Sequence, residues 1–127
     1  ICQIESLERL WISNNKLDSL PTSISHLKNL KNLGIGSNDI YKLPISFKEL
    51  DSLKTLSLTD MPNLDFSNTF IILSQMSHLE LLGLHLMKVR IPDNFYLLKQ
   101  VKTFYMSNLS KEEWKRIKEI HPNAKFE

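Results

Sequence analysis

The chain has 127 residues, 42% of them hydrophobic, which suits one continuous core of ordinary globular size. Sixteen Lys and Arg against fourteen Asp and Glu leave a formal charge of +2, far from the concentrated basic field that phosphate backbones require, so no nucleic-acid partner is expected. The single cysteine, Cys2, excludes an internal disulfide framework and a cysteine-based zinc site. Apolar runs such as 70–73 fall far short of the ~20 residues of a membrane-spanning helix.

Residues 1–7, Ile-Cys-Gln-Ile-Glu-Ser-Leu, match 24–30, Ile-Ser-His-Leu-Lys-Asn-Leu. They therefore read as the outer half of an earlier unit, and the chain is expected to continue upstream. The first full phrase is Leu7-x-x-Leu10-x-Ile12-x-x-Asn15-x-Leu17, followed by Leu20-Pro21 and Ile24-x-x-Leu27. It returns 23 residues on as Leu30-x-x-Leu33-x-Ile35-x-x-Asn38-x-Ile40, Leu43-Pro44, Phe47 and Leu50. Later copies begin Leu53-x-x-Leu56-x-Leu58, Leu79-x-x-Leu82-x-Leu84 and Val101-x-x-Phe104-x-Met106, at offsets of 23, 26 and 22. The third has a longer outer segment, 65–78, whose Phe70, Leu73 and Met76 suit a short helix. Ser110 before Glu112 and Glu113, with Trp114, Ile117 and Ile120 at helical spacing, predicts a final helix.

Within each phrase the alternation Leu-x-Leu predicts a short strand, apolar residues inward and the intervening ones outward. The Leu-Pro and Ile-x-x-Leu portion returns the chain across the outer side, where proline cannot support a regular ladder. A single unit orders 23 residues at roughly 1–2 kcal/mol each against a handful of buried aliphatics at about 1.5–3 kcal/mol each, so units must stack.

The phrase resembles the leucine-rich repeat family, in the variant with Leu-Pro-x-x-Ile on its outer side, over nearly the whole chain. The resemblance implies an α/β solenoid, right-handed, with a curved parallel sheet on the concave side and an irregular or short-helical convex side. Residues 1–109 would form about five repeats, the first incomplete at 1–6, and residues 110–127 a capping helix and closing strand of bacterial style. In that strand Ala124 and Phe126 are expected at the inward places. The resemblance further implies a buried asparagine ladder bonded to the adjacent turn, filled here by Asn15 and Asn38. Met61, Met87 and Leu109 stand at the later positions, so those turns must satisfy their backbone differently.

Family members usually bind through the outward columns of the strands. One column reads Arg9, Asn32, Thr55, Leu81, Thr103. The next reads Trp11, Gly34, Ser57, Gly83, Tyr105, then Lys125. The third reads Ser13, Gly36, Thr59, His85, Ser107. At about 4.8 Å per strand, six strands give a face roughly 24 Å across, wide enough for an extended peptide or the edge of a small domain. The candidate contact residues are Arg9, Trp11, Asn32, Thr55, Ser57, Thr59, Leu81, His85, Thr103 and Tyr105. Trp11 could instead pack on an upstream repeat, and Tyr105 could be partly covered by the cap.

No acid, base and nucleophile stand at coherent spacing. His85 beside Thr59 and Ser107 reads as a surface contact, and Cys2 with His26 is too small a set for a metal. The cations Lys28, Lys31, Lys48 and Lys54, mixed with Glu49 and Asp51, read as a solvated flank. Lys111, Lys115, Arg116 and Lys118 among Glu112, Glu113 and Glu119 read as i, i+4 helix pairs. The expectation is a non-enzymatic protein- or peptide-binding module without cofactor or metal, monomeric or weakly self-associating through its N-terminal end. A structural end of a longer array, or a regulatory arm of a larger protein with no partner of its own, is the alternative. A cell-surface or secreted location is preferred over a cytoplasmic one, though the sequence fixes no compartment.

Overall fold

The computed structural model describes residues 1–85 and 90–127. Six short strands, β1 (Arg9–Trp11), β2 (Asn32–Gly34), β3 (Thr55–Ser57), β4 (Leu81–Gly83), β5 (Thr103–Tyr105) and β6 (Lys125–Phe126), form one sheet in sequence order. Every pairing is parallel, with Leu10, Leu33, Leu56, Leu82, Phe104 and Phe126 in successive register. These central residues point into the core, while their neighbours on either side face outward, as a two-residue side-chain period requires.

Between strands the chain crosses the other side of the core. Pro21, Pro44 and Pro92, each extended, open short 3-10 helices at Thr22–His26, Ile45–Glu49 and Asp93–Leu97. Their carbonyls accept the amides of Ile24, Phe47 and Phe95, and those three side chains are buried. Proline loses nothing in this place because the first amide of a helix has no partner in its own turn. The longer outer segment of the third repeat forms α1 (Phe66–Ser74), capped by the Asp65 carboxylate on the Asn68 amide at 3.0 Å. Phe70 and Leu73 are fully buried on it, and Met76 is buried just beyond its end.

The final helix, α2 (Lys111–Ile120), starts at Ser110, whose hydroxyl accepts from the Glu113 amide at 3.1 Å. Its principal ion pair is Glu113 with Arg116, three residues apart and two-pronged, where the sequence suggested i, i+4 pairs. The same two side chains clasp the repeat below: Glu113 accepts the Ile91 amide and Arg116 donates to the Ile91 carbonyl. The three-residue spacing puts both groups on the helix face that meets Ile91, so that together they hold the amide and the carbonyl of that one residue. Arg116 and the Ile91 amide hold the Glu113 carboxyl below the usual carboxylate range, against some desolvation.

The closing strand corrects the expected register by two residues. Phe126 pairs with Phe104 and Lys125 with Thr103, so Lys125 lies in the Arg9 column rather than the Trp11 column. Ala124, expected inward beside Phe126, instead sits at the entry to the strand, its amide on the His121 carbonyl. Aromatic packing explains the shift. Phe126 stacks on Phe104 at 5.5 Å and meets the Trp114 ring edge-on at 6.2 Å, contacts that a residue of alanine's size at that level could not make.

Asn38 fills the ladder role implied for it. It is 2% exposed; its amide group donates to the Ile12, Ile35 and Gly36 carbonyls, and its Oδ1 accepts from the Asn15 and Leu17 amides at 3.1 and 3.0 Å. Asn15 differs from expectation: it is exposed, and its side chain donates to the Ile12 and Ser13 carbonyls of its own turn rather than to the adjacent one. Further on, Met61 is buried and Leu109 half-buried, whereas Met87 lies outside the described residues. Backbone bonds replace the ladder there, Ser37 N to the Thr59 and Asp60 carbonyls and Asp60 N to the His85 carbonyl at 3.0 Å. On the outer side Gln100 donates to Leu73 and Met76, and Asn94 to Ser67.

Candidate interaction surface

The strand register brings the ten candidate residues onto one face. Arg9, Asn32, Thr55, Leu81 and Thr103 are neighbours across five strands, and Trp11, Gly34, Ser57, Gly83 and Tyr105 form the parallel column beside them. Thr59 and His85 lie two residues past their strands, joined through the Asp60 amide. Arg9 and Trp11 are exposed; Asn32, Thr55, Ser57, Thr59, Leu81, His85, Thr103 and Tyr105 are half-buried.

The aromatic at each end has a different setting. Trp11 is 61% exposed, and its ring edge lies against the Gly34 backbone: a Cβ there would stand 2.1 and 2.4 Å from two ring carbons. The glycine thus lets a large apolar ring rest on the sheet while keeping its other surface open. Tyr105 donates its hydroxyl to Glu127, whose carboxylate raises the phenol above its ordinary pKa. Lys125 first, then Tyr105, holds Glu127 below the usual carboxylate range. The cover expected for Tyr105 therefore comes from the chain end following the closing strand. Its ring also lies 6.0 Å from that of His85.

Between them runs a trough of small groups. Ser57 and Thr59 share a hydroxyl contact of 3.2 Å, and Gly36 lies so close to the next strand that a Cβ would meet the Thr59 carbonyl oxygen at 2.4 Å. Among the described residues, no three His, Cys, Asp or Glu stand close enough to hold a metal. Cys2 and His26 line one small hollow with Ile1, Gln3, Pro21 and Ser23 at the first turn. No helix among the described residues is long and apolar enough to cross a membrane.

By sequence Lys31 and Lys54 belong to a solvated flank of mixed charge, and nothing in it joins them to Glu8, Glu80 and Lys102. In the structure Glu8, Lys31, Lys54, Glu80 and Lys102 form a further row at the entry to successive strands. The carbonyl of each of the first four accepts two amides from the next turn, at 2.8–3.1 Å. Glu8 pairs with Lys31 at 2.9 Å and Glu80 with Lys102 at 3.1 Å, and each lysine depresses the pKa of its carboxylate partner. The signal available was the first variable position of every Leu-x-x-Leu.

No family model matches the chain, and no curated protein matches it significantly. Solved structures do. A leucine-rich repeat protein of Leptospira interrogans superposes over 99% of this chain with a TM-score of 0.75 at 24% identity. Drosophila Toll, in its complex with Spatzle, covers 83% with a TM-score of 0.68 at 22% identity. A plant peptide hormone receptor in complex with RGF2 covers 99% with a TM-score of 0.57 at 19% identity.

The chain has the leucine-rich repeat fold. It spans 32% of the Leptospira protein, 14% of Toll and 21% of the plant receptor. In a leucine-rich repeat solenoid the six-stranded parallel sheet is the concave side and the proline-opened 3-10 helices with α1 are the convex side. The ten candidate residues accordingly face the concavity.

Proposed function

We propose that this solenoid is a protein- or peptide-binding module that works through its concave sheet. The observation that carries the reading is the composition of that face: an open indole at one end, a tyrosine at the other, and small uncharged residues between. Large rigid aromatics gain much buried area at little rotamer cost, and small residues between them let a partner's backbone approach. Toll and the plant receptor are seen in complexes with Spatzle and RGF2. The likeness to them is one of fold, and one solenoid scaffold serves many partners.

The test is a binding measurement with the combined variant Trp11→Ala, Thr55→Ala, His85→Ala and Tyr105→Phe. All four positions are partly or largely solvent-facing, so the fold should persist, which circular dichroism checks. Loss of at least tenfold in affinity for a partner captured by the wild-type chain is the expected result. Unchanged affinity in a folded variant would remove the concave face from consideration.

A further inference from the structure

Lys31, Lys54, Glu80 and Lys102 of the row at the strand entries border a shallow groove along the entry side of the sheet, floored by Asn32, Thr55, Leu81 and Thr103, with Glu8 next in the row beyond its end. Its charges are not evenly satisfied. Glu8 pairs with Lys31 and Glu80 with Lys102, whereas Lys54 feels Glu80 only at longer range: among the described residues no ion pair or hydrogen bond holds its ammonium. Arg9, exposed next to Glu8 and acting on it at longer range, likewise makes no ion pair among the described residues. Four cations, Arg9, Lys31, Lys54 and Lys102, thus face two carboxylates, an excess of two. The formal charge of the entire chain is +2, so the rest of the molecule cancels and this edge carries the surplus.

We infer that the groove recognises a carboxylate of an extended acidic peptide, seated on Lys54. The inference rests on the concave-face reading and adds the chemistry of the partner. Lys54 occupies the middle of the row, between Lys31 and Glu80 of the adjoining turns, and its main chain is pinned from both sides: its amide donates to the Lys31 carbonyl and its carbonyl accepts from the Glu80 and Leu81 amides. The stem of Lys54 therefore starts from a fixed place on the groove wall, and its ammonium is free to swing onto an incoming carboxylate. The floor beneath supplies the Asn32 amide and the Thr55 and Thr103 hydroxyls as hydrogen-bond donors, with Leu81 offering apolar contact to the methylenes of an Asp or Glu side chain. Strands about 4.8 Å apart match alternate side chains of an extended peptide crossing them, which repeat at about 6.6 Å along the chain, only at intervals. One strong anchor with neutral contacts on either side fits that mismatch better than a series of salt bridges. A phosphate backbone fits poorly, because Glu8 and Glu80 interrupt the row at the spacing where it would need cations.

Random dodecapeptides displayed in a library and selected on the immobilised wild-type chain serve as the probe. The expected outcome is enrichment of Asp and Glu at one peptide position, and a loss of about fivefold in affinity of the selected peptides with Lys54→Gln. Lys115→Gln, on an exposed helix position away from the sheet, should leave affinity unchanged. Glutamine keeps the aliphatic stem and the main-chain bonds, so folding is not at issue. Recovery of no peptide that depends on Lys54 overturns the inference. If the selected peptides are neutral and lose affinity only in the Trp11, Thr55, His85 and Tyr105 combination, the concave-face reading stands and the acidic partner falls. Peptides indifferent to both sets of changes would sink both. A single-stranded oligonucleotide that competes equally well, with the same dependence on Lys54, would assign the groove to phosphate instead.

Discussion

Replacing Asn38 with leucine separates the two asparagines that the sequence makes look equivalent. Leucine has a similar size and is the residue found at the matching place, 109, so packing is nearly conserved. Five hydrogen bonds disappear: two accepted from the Asn15 and Leu17 amides and three donated to Ile12, Ile35 and Gly36. The Ile35 and Gly36 carbonyls belong to fully buried or buried residues, and stranding such a group costs about 1–3 kcal/mol. Water reaches the partly exposed Ile12, Asn15 and Leu17 groups, so each of those bonds is worth about 0.5–1 kcal/mol. Added leucine burial returns about 1–2 kcal/mol, leaving a net loss of about 5 kcal/mol. The same change at exposed Asn15, whose side chain bonds only within its own turn, should cost under about 1 kcal/mol. Urea unfolding followed by circular dichroism gives both values if the m-value holds, and amide exchange at Asn15 and Leu17 should accelerate in Asn38→Leu alone. Equal costs for the two variants, or unchanged exchange at those amides, would refute the assignment of Asn38 as the tie between the first two turns.

The two tight glycines should respond differently. Gly36→Ala drives a Cβ against the Thr59 backbone and is expected to destabilise by about 2–3 kcal/mol, read from the urea midpoint. Gly34→Ala meets only the exposed Trp11 ring, which can swing away, so the expected result is a small stability change with a shift in Trp11 emission, measured in a Trp114→Phe background. His121, buried with Nε2 2.7 Å from the Phe95 carbonyl, is held below the ordinary histidine pKa of 6.5 by desolvation, with the carbonyl opposing. Because the unfolded chain takes up the proton first, stability is complete above that ordinary value and falls as pH drops through the depressed folded one. Unfolding midpoints between about pH 7 and 5 should therefore slope less in His121→Gln than in the parent; parallel slopes would contradict it. Glu113 has a depressed pKa as well, so its contribution is complete above the ordinary glutamate value and is lost as pH falls through the lowered one. Glu113→Gln should flatten the acid limb of the stability profile and raise amide exchange in α2.

How far the sequence spoke depended on which contacts are local. The leucine alternation is legible because a half-buried strand needs only a two-residue period, and Phe47 is marked by its place after Leu43-Pro44 and Phe70 by its helical spacing with Leu73. The outward columns followed as soon as the repeats were aligned, since register in a parallel stack is set by the inward leucines. The closing strand was misread by two residues because its place depends on long-range ring contacts of Phe126 with Phe104 and Trp114, which no short pattern encodes. The role of Glu127 on Tyr105 depends on that same register, so it was hidden for the same reason. The row through Lys54 failed differently. Its residues are spread over five turns, and a mixture of signs along them looks like a solvated flank until the pairs are drawn. Glu8 with Lys31 and Glu80 with Lys102 are cross-strand neighbours at sequence separations of 23 and 22, and only their pairing exposes Lys54 as the cation left over. Charge in a stacked array is thus informative by its remainder, the part that neighbouring turns do not cancel, and in this chain the remainder falls at the edge of the same face that holds Trp11.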